Sequence, residues 1–169
     1  VAFASRTGEV LWEGPPRQLS YASPNVVTLA GRIQIVVTNE ESVSGHVPET
    51  GALLWEYPWA GSSSGAASNS QPTLVGSDCV LISKGYGQGS ALLRLAPTEG
   101  DRMDVEAVWK SRRALRTKFT NPVVHGPYAY ALSDGILECV ALESGKREWR
   151  NGRYGHGQIL LVGRDDAAV

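Results

Sequence analysis

The stretch Leu137–Trp149, LECVALESGKREW, decides the fold of this chain. A short apolar run leads into the Ser144-Gly145 pair, and Trp149 follows four residues after the glycine. The stretch is therefore one copy of a repeat rather than a unique motif. Two earlier copies keep the same spacing between glycine and tryptophan, namely Thr7-Gly8 with Trp12 and Thr50-Gly51 with Trp55.

A looser copy runs from Leu92 to Trp109, with its turn lengthened through Thr98–Asp104. The four tryptophans are then separated by 43, 54 and 40 residues. Propeller blades of four strands repeat every 40 to 50 residues or so, whereas most helical repeats are shorter. Because the runs between the turns are short and strand-like, the repeat predicts an all-β fold, a β-propeller with four-stranded antiparallel blades.

Alternating apolar residues and turn residues place about four blades in the chain, three complete and one split between the two ends. A predicted strand over Gln158–Val162 opens the last partial blade, and Ala167–Val169 could begin its second strand. The predicted ranges are a partial blade at 1–13, blades at 24–57, 72–110 and 122–150, and a partial blade at 158–169.

The repeated residues have structural roles that follow from their chemistry. A tight turn needs positive φ, which glycine adopts without steric cost, so Gly8, Gly51 and Gly145 are predicted turn positions. A tryptophan ring is large and flat, and its N–H can still donate at one edge. We therefore expect the repeat tryptophans to fill the wedge between neighbouring blades: Trp12, Trp55, Trp109 and Trp149.

Composition excludes several function classes. Apolar residues make up 42% and charged residues 20% of the chain, as in ordinary globular proteins. The net charge is −1 and the pI about 6.3, which disfavours nucleic-acid binding. No apolar run approaches the ~18 residues of a membrane-spanning helix. Cys79 and Cys139 lie in apolar runs and are expected to be buried thiols, and no cluster predicts a metal site.

These residues resemble the repeat of pyrroloquinoline-quinone (PQQ) type propellers, whose docking pattern is Ala-x-Asp-x-x-Thr-Gly-x-x-x-Trp. Segments 120–124, 135–139 and 152–158 are similar to bacterial propellers of the BamB-like group, named after an outer-membrane assembly lipoprotein. The resemblance implies a location in the bacterial cell envelope or periplasm, and the leading function is a non-catalytic scaffold that binds a protein or peptide. Because the sequence begins inside one repeat and ends inside another, we expect a fragment of a longer protein.

The chain also departs from the family pattern. Ala4, Val47 and Ala141 stand where the pattern carries Asp, so the blades are expected to depend on tryptophan packing more than on polar docking. Active quinoproteins resemble this repeat too, and they would need PQQ with calcium, a stacking tryptophan and often adjacent cysteines. The two cysteines here are far apart, so no cofactor is expected, and a quinoprotein dehydrogenase fragment is the alternative.

One face of the predicted propeller, here named the loop face, carries the connections between blades and the turns between second and third strands. The run Lys110–Lys118 on this face holds five cations and no acid. It is either a docking patch for an anionic partner or a solvated loop balanced by acids such as Glu138 and Glu148. The loop face comprises Glu13–Ser23, Pro58–Gln71, Ser111–Asn121, Asn151–Gly157, Asn39–Glu41, Gly85–Ser90 and Asp134.

The candidate binding residues all come from the loop face. Four are cations of the basic run, one is the exposed aromatic of a Gly85–Gly89 turn, and two precede a histidine in a glycine-rich loop. The segment Ala60–Ser70 of the same face is small and polar, and is either a lid or a flexible link. The candidates are Arg112, Arg113, Arg116, Lys118, Tyr86, Arg153 and Tyr154.

A weaker hypothesis assigns catalysis to the central mouth. His156, Asp134 and Lys118 could act as acid–base or anion-stabilising groups of a hydrolase, since histidine titrates near neutral pH. No GxSxG motif supplies an activated serine, which weighs against this interpretation. The three histidines are predicted at different levels, so they do not suggest a three-histidine metal site.

The two ends of the chain are predicted to be complementary. The first residues supply the last strands of a blade, and the last residues supply a first strand. We therefore expect two chains to close a ring of about eight blades as a homodimer, and the alternative is a single chain that closes with four blades.

Overall fold

The computed structural model describes residues 1–17, 20–59, 69–164 and 167–168. Within them the chain forms three four-stranded antiparallel sheets and two flanking pairs of strands, without a helix. The predicted all-β propeller architecture is confirmed. No described helix could cross a membrane.

Each sheet is a meander, since strands that follow one another in the chain are neighbours in the sheet. This arrangement follows from the tight turns that separate short strands. The first pair is β1 (Ala2–Phe3) and β2 (Val10–Trp12), and the second sheet holds β3 (Asn25–Leu29), β4 (Arg32–Thr38), β5 (Ser42–His46) and β6 (Leu53–Pro58). The third sheet holds β7 (Thr73–Val75), β8 (Cys79–Lys84), β9 (Gly89–Pro97) and β10 (Met103–Ser111). The fourth holds β11 (Val123–His125), β12 (Tyr128–Ser133), β13 (Ile136–Ala141) and β14 (Arg147–Arg153), and β15 (Gly163–Arg164) pairs with β16 (Ala167–Ala168).

A β-bulge precedes the repeat tryptophan in each of the four sheets that contain one. In the fourth sheet Cys139 pairs with Trp149 and Val140 pairs with Arg147, so the ladder omits the residue between them. A bulge adds one residue on one strand and re-aims the side chain beside it. The omitted residues are Leu11, Leu54, Val108 and Glu148.

Two apolar cores lie between the sheets. The first packs the second sheet against the third and includes the fully buried Leu29, Val43 and Leu93. The second packs the third sheet against the fourth and includes Leu115 and Val140. Every blade is thus held mainly by its neighbours, as in other repeat folds.

The last partial blade differs from its prediction. Residues 158–162, expected to be a strand, lie outside any strand, and Leu160 is 77% exposed. The Gln158 amide donates instead to the Phe119 carbonyl. An extended segment becomes a strand only beside a partner that takes its backbone hydrogen bonds, and none of the described strands lies beside this one. The two short strands β15 and β16 form a hairpin further along.

In the third blade β9 and β10 extend to the lengthened turn, since β9 ends at Pro97 and β10 begins at Met103. In the fourth blade β14 continues to Arg153, beyond the expected end at Arg150. Most of the Ala60–Ser70 segment and Val169 lie outside the described residues.

Candidate functional site

Two blade junctions share one geometry. The Trp12 Nε1–H donates to the Pro48 carbonyl at 2.9 Å, and the Trp109 Nε1–H donates to the Leu142 carbonyl at 2.6 Å. In both cases the ring lies on the turn glycine of the following blade, where a β-carbon would overlap it. Positive φ and this close approach both require glycine at the turn. The glycines are Gly51 with φ of 72° and Gly145 with φ of 67°.

Trp55 has a different partner. Its Nε1–H donates to Gln34 Oε1 at 2.5 Å inside its own sheet, and the side chain is almost fully buried. The Gln34 amide in turn donates to the Leu29 carbonyl and contacts Met103 of the next blade. The lengthened turn of the third blade offers no glycine at the spacing of the other repeats, so the ring has no such turn to lie on.

Trp149 is the exposed member of the set, with 43% of its surface accessible. Its ring lies 6.0 Å from the Tyr130 ring on the face of the fourth sheet that points away from the third. At the other end of the chain, a β-carbon at Gly8 would meet no atom within 4 Å. In the described structure Trp149 therefore has no glycine turn to lie on, and the Gly8 turn has no tryptophan ring over it.

On the loop face, Asp134 brings two of the predicted cations together. Its carboxylate lies 3.0 Å from Arg116 Nη2 and 3.3 Å from Lys118 Nζ. The backbone is held as well, since the Asp134 N–H donates to the Arg116 carbonyl at 3.0 Å. Asp134 thus ties the basic loop to the β12–β13 turn of the next blade, and its charge is shared between two cations.

Glu138 holds the same loop from below. Its fully buried carboxylate accepts the Leu115 N–H and, at 2.9 Å, the Arg147 Nε–H. Arg147 also donates from Nη2 to the Arg113 carbonyl at 2.9 Å. A buried carboxylate with two such donors is well satisfied. Glu138 therefore orders the loop through its backbone and does not neutralise the loop's own side-chain cations.

Arg112 and Arg113 remain outward-facing. Both residues are exposed, and neither forms an ion pair within the described part of the chain. Arg112 Nε–H makes one long contact of 3.4 Å with the Gly87 carbonyl. The basic loop thus presents these two guanidinium groups on a backbone that is fixed by Asp134 and Glu138.

Exposed aromatic rings lie beside Lys118, the last cation of the basic run. Lys118 Nζ lies 5.0 Å from the centre of the Tyr86 ring, and Tyr86 is 42% exposed. Phe119 follows Lys118 in the chain and is 56% exposed. The Lys118 side chain is thus held by the Tyr86 ring as well as by the Asp134 carboxylate. The sequence prediction did not include Phe119, although its place at the end of the basic run was a usable signal.

The glycine-rich loop after β14 lies on the β12–β13 turn. The Tyr154 N–H donates to the Gly135 carbonyl at 2.8 Å, and Tyr154 is 65% exposed. Arg153 and His156 are exposed too. Among the described residues no hydrogen bond or ion pair joins His156 to Asp134 or Lys118. Of the three candidate catalytic residues, Asp134 and Lys118 are therefore paired with each other, and His156 stands apart from the pair.

A chain of buried hydroxyl groups crosses the base of the loop face. Ser83 Oγ lies 2.6 Å from Thr117 Oγ1, which lies 2.5 Å from Ser70 Oγ. The Ser70 hydroxyl donates to the Thr120 carbonyl at 2.7 Å, so the donors run in order from Ser83 to Ser70. This network links the third blade to its two flanking connections. Isolated hydroxyl residues in a sequence give no signal for it.

Lys84 was also absent from the prediction. The side chain is buried, and its Nζ donates to the Glu40 carbonyl of the preceding blade at 3.3 Å. Burial lowers the pKa of Lys84, and the negative charge of Glu40 offsets part of this effect. Burial also raises the pKa of both thiols, Cys79 and Cys139, which are free and buried.

A cavity of about 520 Å³ opens where the four blade connections meet. The residues around it are uncharged, and among the described residues no group of three His, Cys, Asp or Glu side chains could hold a metal ion. Because PQQ is a tricarboxylate that binds with calcium, this lining does not fit it. The cavity is lined by Tyr21, Ser23, Asn69, Gln71, Phe119, Thr120, Asn121 and Gln158.

Comparison of the chain with known proteins identifies its family. The sequence profile of the family described as outer membrane protein assembly factor BamB matches residues 1–151. The chain belongs to this family. Among solved structures, the crystal structure of BamB from Moraxella catarrhalis matches with a TM-score of 0.58 and 21% identity. The match covers 88% of this chain and 45% of that BamB, so the chain spans less than half of its length. No curated protein matches.

Proposed function

We propose that this BamB-family chain is a non-catalytic interaction module whose loop face binds an acidic, partly apolar protein segment. The observation that carries the proposal is the pairing on the basic loop. The Asp134 carboxylate forms ion pairs with Arg116 and Lys118. Arg112 and Arg113 form no ion pair among the described residues, and they point outward from a backbone that is held in place. A surface that is ordered before binding loses less entropy when it binds.

The chemistry of this surface favours a peptide over a small anion. Guanidinium groups donate two parallel hydrogen bonds to a carboxylate, and aromatic rings provide apolar contact area. Tyr86, Phe119 and Tyr154 provide such area on the loop face. In the family description, BamB is an assembly factor for outer membrane proteins, which agrees with a protein ligand. We place the chain in the bacterial cell envelope on the same ground.

Binding of a defined probe tests the proposal. A fluorescent ten-residue peptide that alternates Glu with Phe or Leu is titrated with the chain, and anisotropy gives the dissociation constant. The double variant Arg112→Glu/Arg113→Glu is expected to weaken binding by about tenfold or more, because reversed charges repel the probe. The matched control is the double variant Arg102→Glu/Lys146→Glu, which makes the same charge change at two exposed positions in turns of the opposite face.

The control is expected to change affinity less than about twofold. Equal weakening in the control and in Arg112→Glu/Arg113→Glu would show that only net charge matters. Unchanged binding in Arg112→Glu/Arg113→Glu would show that the basic loop is solvated surface. Circular dichroism of both variants verifies that the fold is intact.

A further inference from the structure

The connections between blades place equivalent residues around the cavity of the loop face. Ser23, Gln71 and Asn121 each lie two residues before the first strand of a complete sheet, and each is followed by a proline. A residue before proline is held extended, so the three connections enter their blades in a similar conformation. All three side chains line the cavity of about 520 Å³. Further amide and hydroxyl groups in the lining come from Asn69, Thr120 and Gln158.

Hydrogen bonds between neighbouring connections hold this lining in place. The Gln71 backbone N–H donates to Asn121 Oδ1 at 2.8 Å, and the Asn121 Nδ2–H donates back to Gln71 Oε1 at 3.2 Å. The side chains of Asn25 and Thr73 each donate, at 3.3 Å, to the carbonyl of the proline in the next connection. A site that is ordered before its ligand arrives loses less entropy on binding.

The amide side chains keep groups that a ligand can use. The Gln71 amide is held through its Oε1, and the Gln158 amide is held through its Nε2, which donates to the Phe119 carbonyl. Within the described part of the chain, Gln71 Nε2 and Gln158 Oε1 form no hydrogen bond. The lining therefore offers both a free donor and a free acceptor. A hydroxyl group, which donates and accepts at once, matches both.

Two aromatic rings and the lack of charge narrow the ligand class further. Tyr21 is 69% exposed and Phe119 is 56% exposed, and both line the cavity. Rings of this kind offer flat apolar surface on which the C–H face of a sugar ring can stack. No charged side chain is among the described lining residues, so the cavity has nothing to compensate the desolvation of a charged ligand. These features fit a neutral ligand with many hydroxyl groups.

We propose that this cavity binds a neutral saccharide, whose hydroxyl groups bond to the amides of Gln71 and Gln158 and whose ring stacks on Tyr21. The volume lies in the ~300–1,000 Å³ range of ligand pockets. A peptide fits less well, because an extended peptide gains affinity by pairing with an open strand edge, and every described lining residue lies outside the strands. The inference goes beyond the proposed peptide function, and Phe119 alone of the peptide-binding rings also lines the cavity.

Isothermal titration calorimetry with three neutral trisaccharides tests the site on the intact chain: cellotriose, maltotriose and triacetylchitotriose. At least one is expected to bind with a dissociation constant below ~1 mM. Tyr21→Ala removes the stacking ring and Gln71→Ala removes the free amide donor, and each is expected to weaken binding by about fivefold or more. The matched control is Tyr154→Ala, which removes a tyrosine that is 65% exposed but does not line the cavity, and it should change the affinity less than about twofold.

Two variants are used so that a folding failure in one leaves the other informative, and circular dichroism reports on folding. The saccharide proposal is overturned if no trisaccharide binds up to about 10 mM, or if Tyr21→Ala and Gln71→Ala both bind as tightly as the wild type. The acidic probe peptide is titrated into Tyr21→Ala as well, and its affinity is expected to stay unchanged. A weaker peptide complex without saccharide binding would assign the cavity to the peptide surface, so either proposal can fail without the other.

Discussion

The indole N–H of Trp109 donates to the carbonyl of Leu142 across the junction between two blades, at 2.6 Å. The same ring lies on Gly145, so one side chain gives both the polar and the apolar contact of the junction. Trp12 repeats the arrangement at Pro48 one junction earlier. The junctions therefore form without the aspartate that the family pattern carries.

The junction predicts a specific cost for a methyl group at the turn. Gly145→Ala is expected to destabilise the chain by ~2–4 kcal/mol, because the new β-carbon overlaps the Trp109 ring and strains a residue with positive φ. Gly126→Ala is the matched control in the same blade, with φ of 53° and open space. Gly126→Ala is expected to destabilise the chain only through its positive φ, by ~1 kcal/mol. Urea unfolding of both variants gives the difference, and equal losses would contradict the ring contact.

The buried carboxylate of Glu138 should be costly to neutralise. Glu138→Gln is expected to lower the free energy of unfolding by ~2–3 kcal/mol, because Arg147 loses its charged partner and an amide group faces the Leu115 N–H. Glu148→Gln, an exposed change on the next strand, should stay within ~0.5 kcal/mol. Denaturant unfolding compares the two. If Glu138→Gln lowers the free energy of unfolding no more than Glu148→Gln does, the Glu138 carboxylate does not stabilise the basic loop.

Lys84 predicts a pH dependence. Burial lowers its pKa from 10.5 in the folded chain, so between the lowered pKa and 10.5 the unfolded chain binds more protons. The Lys84 contribution to the free energy of unfolding therefore rises with pH in that window, and below it the burial penalty is complete. Lys84→Met should stabilise the chain at pH 7 by roughly 1 kcal/mol and remove this rise.

The Lys84 measurement is a difference between variant and wild type. The thiols and Tyr130 have raised pKa values and act in the opposite direction at alkaline pH, but both proteins share them. Lys146→Met, which makes the same substitution at an exposed site, is the control. Parallel profiles for Lys84→Met and wild type would show that the amine is not desolvated in the fold.

Asp134 separates the binding and catalytic interpretations of the loop face. Asp134→Asn keeps a residue that tolerates φ of 47° and releases Arg116 and Lys118 from their shared carboxylate. The acidic probe peptide should then bind ~2- to 5-fold more tightly, the equivalent of one exposed ion pair. A hydrolase that uses Asp134 would instead lose turnover of an activated ester. Weaker peptide binding together with lost turnover would favour the hydrolase.

Much of the fold could be predicted because the spacing of a repeat is visible in the sequence itself. Trp12, Trp109 and their turn glycines mark blade boundaries at a fixed spacing, and alternation locates the strands between them. The bulge before each tryptophan gives no such signal, since Leu11 or Glu148 could equally well pair in the ladder. The strand expected at 158–162 failed because an apolar run does not reveal whether a partner strand is present.

Less of the candidate site could be predicted, because the sequence does not show which acid forms ion pairs with which cation. The sequence identified the basic run, but its counter-charge was assigned to Glu138 and Glu148 in place of Asp134. Glu138 alternates in register like any strand residue, and the Leu115 N–H that it accepts lies 23 residues away in the sequence. Contacts between residues that are distant in sequence decide which cations remain outward, and local patterns do not contain them.

The most direct test of the loop-face proposal is a hydrogen–deuterium exchange footprint of the acidic probe peptide on the intact chain. The proposal predicts slower exchange in residues 111–121 and in the turn at 85–89 when the peptide is bound. The turn at 98–102, on the opposite face, should exchange at an unchanged rate. Protection confined to the opposite face, or no protection on the loop face at saturating peptide, would contradict the proposal.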